Sequence, residues 1–156
     1  MASKTQGVSR KEKSPHALPE EVYLNVLSTA DALLRGVEEL LKPPGLTPSQ
    51  YNVLRILRGA GPAGLACREI GARMLTRDPD MTRLLDRLET RGLVVRARDT
   101  GDRRVVLTRI AAAGLKLLKV LDAPVAGLHR NQLKHMGAAD LRKLAALLEQ
   151  ARETGG

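Results

Sequence analysis

The apolar positions of the chain follow a helical rhythm that switches once, briefly, to strand alternation and then returns. Over residues 18–42, Tyr23, Leu27, Ala30, Leu34, Val37 and Leu41 recur at steps of three and four, and Val26, Leu33 and Leu40 add a second stripe at step seven. One stripe can bury against its own domain. A second, in so short a chain, points to a partner helix. Pro43-Pro44-Gly45 ends this helix. A second helix is predicted over 47–59, with Thr47 as N-cap, Pro48 at the first helical position, Gln50 three after the cap, and Tyr51, Val53, Leu54 and Leu57 apolar. Glycines and Pro62 break it. Residues 67–75 read as a short helix through Ile70 and Met74. Its cap position holds Ala66 with Glu69 three later, half of a capping box, so a loose start is expected.

A further helix is predicted over 79–91, with Asp78 as N-cap, Pro79 as first helical residue, Met81, Leu84, Leu85 and Leu88 as the buried face, and Gly92 as the stop. Asp80, Arg83 and Arg87 share the opposite face. Residues 93–98 and 104–108 then alternate as two strands around a turn at 99–103. Helical spacing resumes over 110–134 through Ile110, Leu117, Leu118, Leu121, Val125 and Leu128. Pro124 should kink or split that span. A last amphipathic helix covers 138–153 through Leu141, Leu144, Leu147 and Leu148. There is no internal repeat.

Composition sharpens this mainly helical picture. The chain has 156 residues, enough for one domain, and 43% of them are apolar, yet it contains two Tyr and neither Phe nor Trp. Its core must therefore be aliphatic, and base stacking on aromatic side chains is excluded as a binding device. The net charge of +9 implies a polyanionic partner or a membrane surface. No apolar run approaches the roughly 18 residues needed to span a bilayer, and the polar N-terminus does not resemble a signal peptide. The lone Cys67 permits no intramolecular disulfide, which fits a reducing cytoplasm. Residues 1–17 read as a flexible basic tail. Residues 68–109 hold eleven arginines, no lysine and seven acids. A preference for arginine matters because its planar fork grips phosphate or guanine edges through two bonds.

A short helix, a turn and a polar-faced helix make a helix-turn-helix, and the two-stranded ribbon after it makes the winged version. A helix fits the major groove and presents its N-terminal residues to base edges, while its N-terminus favours phosphate. The ribbon, with Arg96 and Arg98 before its turn and Asp99, Asp102, Arg103 and Arg104 in it, has the shape to enter the adjacent minor groove. The arginines have a competing, purely structural use. Arg83, Arg87 and Arg91 lie at spacings that permit ion pairs with Asp80, Asp86 and Glu89.

Leu46-Thr47-Pro48-Ser49-Gln50-Tyr51, the run Met81 to Glu89, Arg91-Gly92-Leu93-Val94, Asp102-Arg103-Arg104, and Leu107-Thr108 with Gly114 together resemble the MarR family of bacterial transcription regulators, across about residues 20–150. The resemblance implies a homodimeric winged helix-turn-helix, mainly α with a small two-stranded β wing. Residues 18–45 and 110–156 would form its dimerisation helices and 46–109 its DNA-binding domain. It implies a pseudo-palindromic operator on double-stranded DNA and, in many members, release of DNA by a small anionic or phenolic compound or by cysteine oxidation. Carried over by position, Asp78, Asp80, Thr82, Arg83 and Arg87 fall on the recognition helix, with Arg77 just ahead of it. Arg83 and Arg87 become the leading contacts to bases or phosphates, and Asp80 an acceptor from a cytosine amino group. In the wing, with Arg98 leading into it, Asp102 and Arg104 match an Asp-x-Arg element. Asp102 is expected to brace the turn against an arginine while Arg103 or Arg104 reaches the groove.

The chain departs from the peroxide-sensing members in having no cysteine in its first helix; Cys67 opens the short helix instead. His16, His129 and His135 are isolated, so neither a metal nor a cofactor is expected. No nucleophile-base cluster or phosphate-cradling glycine loop suggests an enzyme. A winged-helix module that docks on protein, or a non-specific nucleoid protein, is the alternative to a sequence-specific regulator.

Overall fold

The computed structural model describes residues 17–153; the basic tail over residues 1–16, with His16, lies outside the described residues. Six α-helices and three β-strands follow in the order α1 (Ala17–Leu41), α2 (Pro48–Ala60), β1 (Leu65–Ala66), α3 (Cys67–Arg73), α4 (Met81–Thr90), β2 (Val94–Arg98), β3 (Val106–Ile110), α5 (Ala112–Leu133) and α6 (Ala138–Arg152). The chain divides into two units, residues 1–35 and 36–156, with the division inside α1. In the first unit, α1 is an exposed helix whose Tyr23, Val26, Leu27 and Leu34 all face solvent. Arg35 pairs with Asp31 one turn back along it.

In the second unit the core forms around α2. Val53, Leu54 and Leu57 of that helix are fully buried with Ile70 of α3, Leu85 and Leu88 of α4, and Leu118 of α5. Complete burial of each such side chain stabilises the fold by about 1.5–3 kcal/mol, and this is what fixes α3 and α4 on α2. The N-terminus of α2 forms as its sequence predicts: Gln50 N donates to Thr47 Oγ1 at 3.1 Å and Thr47 N donates to Gln50 Oε1 at 3.0 Å. At α3 only half of the box exists, Ala66 N donating to Glu69 Oε2 at 2.8 Å. That helix ends at Arg73, two residues before the predicted end.

The two-stranded wing forms as β2 and β3, and a third strand joins its sheet: β1 pairs antiparallel with β3 through Leu65–Thr108 and Ala66–Leu107, giving the order β1-β3-β2. Two residues cannot show alternation, so this strand leaves no sequence signal. Three expectations of boundary or continuity are corrected. The second predicted strand shifts from 104–108 to 106–110. The turn is longer because Asp99 N donates to Val105 O and Val105 N to Asp102 O, which leaves Arg104 in the turn. Helix α4 starts at Met81 with Asp80 as its cap, not at Pro79 with Asp78. Pro124 neither splits α5 nor ends it; the helix runs unbroken from Ala112 to Leu133, with Leu121 and Val125 buried on either side of the proline.

Candidate nucleic-acid interface

The carboxylate that faces the first turn of α4 decides where that helix begins. Asp80 Oδ1 accepts from Arg83 N at 3.0 Å and so caps one of the free N–H groups of the helix start. Asp78 Oδ1 accepts from Asp80 N at 2.9 Å, which folds Asp78, Pro79 and Asp80 into a turn ahead of the helix. The same segment is held from α2, where Asn52 Oδ1 accepts from Leu75 N at 2.8 Å. Met81, Leu84, Leu85 and Leu88 face inward, and Thr82, Arg83, Asp86 and Arg87 are exposed on the outer face. At the far end Gly92 turns the chain with φ +70, its N–H donating to Glu89 O at 2.8 Å.

The structural use of the arginines allowed by their spacing is not the one adopted. Asp86 and Glu89 are both taken by Arg96 of β2, whose Nη2 donates to Asp86 Oδ1 and Nε to Glu89 Oε2, each at 2.5 Å. These two carboxylates hold the Arg96 guanidinium above the usual arginine range, hydrogen bonding from Glu89 being the largest cause. Arg91 turns away from the acids altogether and donates to the carbonyls of Gly45 and Pro44, 2.7 Å each. Among the described residues the guanidinium groups of Arg83 and Arg87 have no hydrogen-bond or ion-pair partner. Together with Gln50, Asp86, Thr90 and Arg91 they line an open concavity on the outer face of α4. Arg77, just before the helix, is exposed and equally unpaired.

In the wing, β2 and β3 pair in register from Val94–Ile110 to Arg98–Val106. The turn beyond them is built on carboxylates. Asp99 Oδ2 accepts from Asp102 N, and Asp102 Oδ1 accepts from Arg104 N at 3.1 Å. Asp102 also holds the Arg104 guanidinium, at 3.1 and 3.2 Å, and these bonds keep its carboxyl below the usual carboxylate range. Arg98 Nη1 donates to Arg103 O at 2.7 Å and ties strand to tip. The Asp102 brace expected from the sequence is therefore present, with Arg104 as its partner. The side chain of Arg103 is left exposed at the tip without a partner among the described residues. Sequence reasoning missed the partners of Arg91 and Arg96 around α4, since neither partnership follows helix spacing. It did not weigh the bidentate pair between Arg58 of α2 and Asp122 of α5 either, at 2.9 and 3.0 Å.

Cys67 opens α3 as a half-buried free thiol. No group of three or more His, Cys, Asp or Glu gathers among the described residues, and no helix there is long and apolar enough to cross a membrane.

Comparison with known proteins bears on the same segments. The MarR family model matches residues 46–106. The chain is 30% identical over 145 residues to the HTH-type transcriptional repressor MdtR of Bacillus subtilis, covering 91% of this chain and 92% of that protein. It is 36% identical over 108 residues to the HTH-type transcriptional regulator TtmR of Methylorubrum extorquens, covering 69% of this chain but only 54%, about half, of that longer relative. Among solved structures, a MarR transcription factor from Planctomyces limnophilus is 41% identical with a TM-score of 0.66, covering 90% of this chain and 99% of that one. A mutant MarR from E. coli complexed with operator DNA is 25% identical with a TM-score of 0.77, covering 89% and 99%.

Proposed function

The chain belongs to the MarR family of transcription regulators, and from that premise we propose that it acts as a homodimeric, sequence-specific DNA-binding repressor on a pseudo-palindromic operator. The observation that carries the proposal is the pair Arg83 and Arg87, exposed one turn apart on α4 and unpaired while the acids beside them are engaged elsewhere. A guanidinium with free N–H groups on an exposed helix face is what bidentate reading of guanine O6 and N7 requires. In this reading Arg83 and Arg87 contact bases, and Arg77 and Thr82 hold phosphates at the helix start. Asp78 and Asp80 shape that start, and a free Asp80 oxygen can accept from a cytosine amino group. In the wing, Asp102 and Arg98 stiffen the ribbon while Arg103 and Arg104 follow the minor groove. The exposed Val26, Leu27 and Leu34 along α1 support a second copy as partner, because apolar side chains repeated along one exposed helix gain from burial. Acting on DNA, the protein would work in the cytoplasm.

A footprint of the protein on the DNA upstream of its own gene tests this. A protected, two-fold-related site is expected, with affinity falling on the order of a thousandfold or more between 50 and 200 mM salt if six or more phosphates are contacted. Equal affinity for a random duplex would instead identify a non-specific nucleoid protein, and binding to no duplex a protein-docking module. The reading extends to release by a small aromatic or anionic effector. The same footprint repeated with salicylate-like acids and with peroxide should lose protection with one of them if such control operates.

A further inference from the structure

Asp86 lines the same concavity as Arg83 and Arg87, an awkward place for a carboxylate if that surface meets DNA. Its position three residues after Arg83 is also the spacing at which a helical acid pairs with an arginine. In the structure it does neither harm, because Arg96 crosses from β2 and takes it, together with Glu89. The Arg96 side chain is only 24% exposed, and its partners are about half exposed. The shielded arginine is thus the fixed member of the network.

We infer that Arg96 is a positioning residue for DNA reading. By occupying Asp86 it keeps that carboxylate from capturing Arg83 and from repelling phosphate, so the Arg83 guanidinium stays free to read. This rests on the DNA-binding reading above. Glu89 differs from Asp86 in one useful respect. The positions three and four residues from it are Leu85, Asp86, Gly92 and Leu93, so a freed Glu89 has no arginine to capture on its own helix.

That difference supplies the test. The probe is a duplex recovered by selecting a random-sequence library with the wild-type protein. R96Q should bind it at least tenfold more weakly while keeping its helical circular dichroism and its dimer. R96Q/D86N should return to within about threefold of wild type, whereas R96Q/E89Q, of identical formal charge, should stay weak. The inference is overturned if R96Q binds like wild type. It is equally overturned if both double variants recover alike, which would be a net-charge effect, or if neither recovers, which would make Arg96 a structural strut. Should R96Q fail to fold, side-chain NMR of the free wild-type protein decides. The Arg96 Nε–H should exchange slowly and that of Arg83 fast; a protected Arg83 Nε–H overturns the inference. If the wild type selects no duplex from the library, the regulator reading falls and this inference with it. A wild type that binds while R96Q is unaffected removes the inference alone.

Discussion

At the scale of single residues, what distinguishes the arginines is what they are bonded to. Arg91, Arg96 and Arg98 spend their donors on carbonyls and carboxylates inside the protein, whereas Arg83, Arg87 and Arg103 do not. Removing a free arginine should therefore cost binding and not folding. Arg83→Ala is expected to weaken operator binding by about 1–3 kcal/mol with an unchanged melting temperature, checked by titration of a labelled operator beside a thermal melt. Unchanged affinity would take Arg83 out of the reading set. Two glycines make the opposite kind of prediction. Gly92 and Gly64 both have φ near +70, but a Cβ at Gly92 meets nothing, while at Gly64 it would lie 2.7 Å from Thr108 O. Gly92→Ala should cost about 1 kcal/mol from backbone conformation alone. Gly64→Ala should cost at least about 2 kcal/mol, because the obstructing atom is backbone of the central strand. Chemical denaturation of the two variants ranks them directly; equal losses would contradict the packing at β1.

At the scale of elements, long periodic segments are legible in the sequence and short or side-chain-built ones are not. Helix α2 follows from Thr47, Pro48 and Gln50 because its cap uses side chains three residues apart, a spacing visible in any sequence. Helix α4 is misplaced by two residues at its start. Asp78 and Asp80 are equally good caps as residue types, and only the turn in which one carboxylate holds the other's backbone decides between them. Strand β1 depends on a distant segment, β3, meeting it in space, and the Arg96 network on strand β2 folding back onto the helix just before it, across 7 and 10 residues; helical or strand periodicity says nothing about either. The clasp between α2 and α5 belongs to the same class and makes a pH prediction. Hydrogen bonding from Arg58 holds the Asp122 carboxyl below its ordinary value of 3.8. The stability this contributes is fully present above that pH and is lost as pH falls through the lowered value. Denaturation of wild type and Asp122→Asn should therefore differ by a constant amount at neutral and mildly acidic pH, and converge only below about pH 4. A difference that vanishes near pH 6 would exclude the clasp as its source.

At the scale of the whole molecule, the proposed function gives each chain one reading helix, α4, and one wing, so the proposed palindromic site calls for two chains. A dimer should set its two α4 helices about one DNA turn apart, roughly 34–36 Å. Leu27→Glu in exposed α1 should shift the protein toward monomer at micromolar concentration and abolish the two-fold footprint. Sedimentation that finds the wild type already monomeric, with operator binding intact, would refute this. The three-stranded sheet has a separate consequence for how such a protein can be altered. The ladder that joins β1 to β3 lies at Leu107 and Thr108, and Ala66 leads directly into α3. The base of the wing is thus built into the start of the helix-turn-helix. Residues 99–105 stand beyond every strand, closed by their own carboxylates. The tip is therefore an exchangeable cassette. Loops of other lengths and charges grafted between Arg98 and Val106 should leave the fold intact and, on the proposed function, change only the groove contacts, while an insertion at Leu65 or Ala66 should disturb helix and wing together.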